Sequence, residues 1–90
     1  MSKLDEYKFY AAELGAEIPE LDLHGNYPDE AVEKLEIFIS DLVYKKENIG
    51  RVIYGGGTGK LREIALSRVQ KSPLVKDYKE ESGSCLVLVD

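Results

Sequence analysis

Ninety residues of which 43% are apolar suit one compact domain, with chain enough for a single core and too little for two. The charged opening MSKLDEYKF and the lack of any run of about 18 apolar residues argue against a signal peptide and a membrane span, so a soluble, cytoplasmic chain is expected. Cys85 is the only cysteine and His24 the only histidine, which excludes an internal disulfide and a zinc cluster. The net charge of −5 disfavours a polyanionic partner for the chain as a whole, but the charge is uneven. Residues 1–44 hold three basic and eleven acidic side chains, whereas residues 45–79 hold nine basic and three acidic, a local charge of +6. Such asymmetry points toward nucleic acid.

Leu4, Tyr7, Tyr10, Ala11 and Leu14 recur at helical spacing before Gly15. Residues 1–18 are therefore expected to form a helical extension that packs on the domain or on a protein partner. Residues 19–90 carry the remaining pattern. In "ELDLHG", Leu21 and Leu23 alternate with Asp22 and His24, the period of a strand, and Gly25 ends it. Pro28 suits a first helical position, and Asp29 and Glu30 complement the positive helix end. Ala31, Val32, Leu35, Phe38, Ile39, Leu42 and Val43 mark one apolar face, with Asn48 and Gly50 closing the helix.

"RVIY" is a second short strand, and it runs into the glycine-rich stretch "GGGTG". From Lys60 the spacing of Leu61, Ile64, Ala65, Arg68 and Val69 predicts another helix, stopped by Ser72 and Pro73. "VKDYK", the turn "EESGS" and "CLVLV" then read as a hairpin whose wholly apolar last strand is central and buries Cys85. The class is α/β: an N-terminal helix followed by βαβαββ around a mixed four-stranded sheet.

A strand, a crossover helix and a second strand form a right-handed parallel unit, so the carboxyl ends of "LDLH" and "RVIY" share one sheet edge. Ligands bind at that edge in open α/β sheets. "GGGTG" leaves the second strand there and enters a helix whose free N–H groups and dipole favour an anion, and a phosphate is the expected occupant. Gly55, Gly56, Gly57, Thr58 and Gly59 would supply backbone contacts, and Lys60 and Arg62 charge-assisted ones. Two nucleotide fingerprints fail. A Walker A loop needs glycine where Tyr54 stands and Ser or Thr where Leu61 stands, and a dinucleotide turn on Gly55 and Gly57 needs its third glycine at Lys60.

Asp22 and His24, two apart on a strand, point to one face, where the carboxylate could orient the imidazole as an acid/base pair beside the phosphate. The alternative is a structural role, with Asp22 accepting a local hydrogen bond. A lone carboxylate such as Asp22 could hold a magnesium ion through waters, although no acidic cluster argues for it.

"LDLHG", a long helix, a strand into "GGGTGKLR", then "SPLV" and a glycine-bearing hairpin into an apolar strand: over residues 20–89 this order resembles the Smr (small MutS-related) domain. The resemblance implies a two-layer α/β sandwich that binds DNA or RNA and, in several members, cuts it as an endonuclease. It assigns Asp22 and His24 to the catalytic motif, Gly55, Gly57, Thr58 and Gly59 to the backbone-contacting turn, and Lys60 and Arg62 to its basic residues. Two departures stand out. Tyr54 replaces a common histidine and Gly56 a lysine, and Glu80 and Glu81 stand where the family's hairpin usually carries glycines. Tyr54 could hydrogen-bond a phosphate or stack on a base, but a phenol with an ordinary pKa near 10 is no base at neutral pH.

Overall fold

The computed structural model describes residues 3–90, so residues 1 and 2 of the expected N-terminal extension lie outside the described residues. Helix α1 (Lys3–Glu13) is followed by β1 (Glu20–Asp22), α2 (Pro28–Tyr44), β2 (Ile49–Ile53), α3 (Lys60–Lys71), β3 (Val75–Glu81) and β4 (Ser84–Val89). The sheet order is β1-β2-β4-β3. β1 runs parallel to β2 with Leu21 opposite Val52, and β4 pairs antiparallel with both β2 and β3. Every residue of β4 is buried, as a strand apolar on both faces requires.

Helices α2 and α3 cover one face of the sheet. Ala31, Leu35, Ile39 and Leu42 from α2 and Ala65 and Val69 from α3 close over Leu23, Val52, Cys85, Val87 and Val89. The start of α2 follows its sequence: Pro28 opens it and the Glu30 carboxylate reaches back to accept a hydrogen bond from the Tyr27 N–H at 2.9 Å. Its end does not. The helix stops at Tyr44 and turns on Lys46, which takes a left-handed φ of 58°, so Asn48 and Gly50 do not close it. Gly50 is instead buried in β2 opposite Val87, where an added Cβ would stand 2.8 Å from Phe38 Cζ. The missing side chain lets the strand approach α2 closely.

α1 lies on the opposite face, docked by residues other than the apolar stripe read from the sequence. Phe9 and Ala12 pack on Leu86 and Leu88, whereas Leu4, Tyr7, Tyr10 and Leu14 are 65%, 75%, 62% and 73% exposed. Polar clasps set the rotation of the helix. Arg51 donates from Nη2 to the Ala12 carbonyl at 3.1 Å, from Nη1 to Glu20 at 2.9 Å and from Nε to Glu81 at 2.9 Å. Lys76 pairs with the buried Asp5 at 3.1 Å, and Lys79 pairs with Glu13. Helical spacing counts apolar residues on a face and is blind to these distant partners.

Candidate functional site

The parallel pair brings the two motifs together at its carboxyl edge. β1 ends at Asp22, and the Leu23 N–H makes one further bond, to the Ile53 carbonyl at 2.8 Å, before the chain turns through His24 and Gly25. Across from it β2 passes through Tyr54 into the glycine bend. His24, Tyr54, Gly56, Gly57, Thr58, Gly59, Lys60 and Leu61 line one open cleft of about 250 Å³. The imidazole edge faces Gly55, where an added Cβ would meet His24 Cδ2 at 3.7 Å.

The bend's backbone is held from behind by the hairpin. The Gly83 carbonyl accepts from the Tyr54 N–H at 3.0 Å and the Gly55 N–H at 2.9 Å. Gly55, Gly57 and Gly59 take φ of 74°, 50° and 83°, conformations only glycine adopts without strain. The Gly59 N–H bonds the Gly56 carbonyl at 3.3 Å, and the Lys60 N–H makes a long bond to Thr58 Oγ1 at 3.4 Å. Gly56, Gly57 and Thr58 are left with N–H groups that have no backbone acceptor among the described residues, at the positive end of α3. The bare amides the sequence suggested are therefore those in the middle of the bend, not Gly55.

Asp22 and His24 meet differently from the strand-face expectation. Strand geometry ends at Asp22, so the two-residue period no longer fixes where His24 points. Asp22 Oδ1 accepts a hydrogen bond from the His24 backbone N–H at 2.9 Å, which fixes the loop and not the ring. Among the described residues the exposed imidazole has no carboxylate within ion-pairing distance. Nor do three or more His, Cys, Asp or Glu side chains converge as a metal site among the described residues. Asp22 is therefore not a member of such a group.

Tyr54 is 4% exposed and its hydroxyl donates to the Ser84 carbonyl at 2.7 Å. Burial pushes its phenol up to about 12, with the charges of Cys85 and Glu80 adding to the rise and Arg62 opposing it. Its ring walls the cleft while its proton is committed elsewhere. Arg62 is ion-paired with Glu80, which holds the guanidinium above its ordinary pKa. Lys60 makes no ion pair among the described residues.

The local charge of +6 is largely dispersed by folding. Arg51, Arg62, Arg68, Lys76 and Lys79 each pair with acids from outside residues 45–79. Leu61 in the cleft wall and Gly83 behind the bend are the site residues that sequence reasoning missed. The target of a hairpin carbonyl leaves no sequence signal.

A mixed open α/β sheet with a histidine loop and a glycine bend side by side at one edge defines the class. Residues 21–89 match the Smr domain, and the chain belongs to that family. It is 32% identical over 76 residues to endonuclease MutS2 of Halothermothrix orenii, covering 80% of this chain and 10% of that protein. It is 38% identical over 60 residues to endonuclease MutS2 of Fusobacterium nucleatum, covering 67% and 8%. The chain thus spans about a tenth of the length of these curated relatives. The crystal structure of the Smr domain of Thermus thermophilus MutS2 superposes with a TM-score of 0.78 at 20% identity, over 81% of this chain and 99% of that one. The stand-alone small MutS-related protein YdaL from Escherichia coli gives 0.72 at 18% identity, over 90% and 72%. Both share the fold.

Proposed function

We propose that the cleft binds a backbone phosphate of DNA or RNA in the cytoplasm, and that His24 acts there as general acid or base of a nicking endonuclease. One observation carries this reading: the imidazole and the open amides of the glycine bend line the same cleft, with Lys60 beside them. The N–H groups of Gly56, Gly57 and Thr58 and the Lys60 ammonium would hold the non-bridging oxygens and stabilise charge that builds on them. An exposed imidazole would exchange a proton with the attacking or leaving oxygen. The names of the MutS2 relatives support the reaction class.

Tyr54 favours a second reading, a binding module that no longer cuts. Its phenol is held neutral and its hydroxyl is bonded to Ser84, so position 54 offers no second proton-transfer group. The exposed Leu4, Tyr7, Tyr10 and Leu14 of α1 would serve a protein partner in either case.

The test incubates the protein with supercoiled plasmid and with structured RNA, with and without magnesium, beside His24→Ala and Lys60→Ala. Cutting lost in His24→Ala while binding persists supports the enzyme. Binding without cutting, weakened by Lys60→Ala and by salt, supports the module. Absence of binding at low salt removes both.

A further inference from the structure

Successive residues of β3 face opposite sides of the sheet, and the two glutamates at its end part accordingly. Glu81 turns toward α1, where it accepts from Arg51 Nε at 2.9 Å and from Ser84 Oγ at 3.0 Å. Glu80 turns toward α3 and takes Arg62, in the first turn beyond the bend. The acidic pair that sequence alone would place together near the phosphate is thus one structural carboxylate and one paired with Arg62, two residues beyond the cleft-lining Lys60. The Glu80 charge also reaches the cleft wall, where it adds to the raised pKa of the Tyr54 phenol.

We propose that Glu80 sets the affinity of the cleft by occupying Arg62 in the free protein, so that a phosphate binds tightly only by taking the guanidinium from it. This rests on the reading of the cleft as a phosphate site. The Arg62 and Glu80 side chains are 49% and 45% exposed, and an ion pair so wetted is weak enough to exchange. A phosphate offers the guanidinium a bidentate partner in place of the single Nη2–Oε1 contact to Glu80. Until that exchange, Lys60 is the only cation lining the cleft among the described residues. Glu80 then does two things: it removes one cation from the rim and places a negative charge beside the incoming anion. A ligand that displaces it gains a contact, and one that does not is held by Lys60 and the amides.

The experiment measures binding of a short labelled single-stranded RNA and a short DNA duplex across a salt series. It uses the parent, Glu80→Gln, Arg62→Gln, the double variant and Lys60→Ala. Glu80→Gln should bind about fivefold tighter at low salt, with the log–log salt slope steeper by about 0.8, the increment of one added phosphate contact. Arg62→Gln should weaken Glu80→Gln about fivefold and the parent by a smaller factor, about twofold, because in the parent the guanidinium must first leave Glu80. Glu80→Ser should repeat the gain if glutamine perturbs β3. If Lys60→Ala weakens binding but Glu80→Gln and Glu80→Ser leave it unchanged, Glu80 has no such role and the phosphate site stands. A gain that persists undiminished in the double variant also overturns the proposal, because it reflects bulk charge without release of Arg62. If Lys60→Ala changes nothing either, the phosphate reading falls with it.

Discussion

The Tyr54 hydroxyl donates to the carbonyl oxygen of Ser84 over 2.7 Å, inside the core and directly behind the glycine bend. Tyr54→Phe removes the donor and leaves that buried carbonyl without it, at a cost of about 1–2 kcal/mol. Urea unfolding should report that loss, while nucleic-acid affinity stays within about twofold of the parent because the ring is retained. An affinity loss as large as that of Lys60→Ala would instead show that the hydroxyl reaches the ligand.

Stability should fall in alkali. Burial raises Cys85 from an ordinary 9.0, and Tyr54 from 10.0, to about 12 in each case. Between those values the folded protein keeps protons that the unfolded chain releases, so stability present below pH 9 is lost as pH rises toward 12. The decline should begin near pH 9, steepen above 10, and reach on the order of 1 kcal/mol per pH unit per group. Chemical denaturation at a series of pH values checks it, and in Cys85→Ala the onset should move up to pH 10. A flat profile from pH 8 to 11 would contradict the burial of both groups.

The bond from the His24 N–H to Asp22 Oδ1 predicts a difference between two substitutions. Asp22→Asn keeps an acceptor oxygen and should leave the His24 amide protected from hydrogen exchange. Asp22→Ala should raise its exchange by about tenfold, the loss of one hydrogen bond. Equal exchange in both variants would mean that the carboxylate charge, and not the acceptor, holds the loop.

Arg51 ties α1, β1 and the end of β3 to one guanidinium, and Glu81 is held below the usual carboxylate range chiefly by that bond. Arg51→Met keeps much of the stem but leaves the part-buried Glu81 with only the Ser84 hydroxyl as a hydrogen-bond donor, and should cost about 2 kcal/mol. Residues 14–19 should also be cut faster by a nonspecific protease as α1 detaches. Unchanged unfolding and digestion would show that Phe9 and Ala12 alone dock the helix.

What the sequence determined by itself was the part governed by local rules. The apolar period of α2, Pro28 at its first turn, the wholly apolar β4 and the βαβ crossover follow from helix geometry, strand pleat and chain handedness, and the glycine bend with His24 at a shared edge followed from them. Tertiary structure decided whatever depends on partners far along the chain. It placed Leu4, Tyr7, Tyr10 and Leu14 in solvent because Arg51, Lys76 and Lys79 hold the other side of α1. It set Gly50 against Phe38, turned Asp22 to a backbone amide, and gave Arg62 to Glu80. Local periodicity fixes the face a residue shares with its neighbours. Which opposing charge or carbonyl meets that face depends on long-range packing, and in this small domain ion pairs across the sheet dispersed the charge that the linear sequence had concentrated.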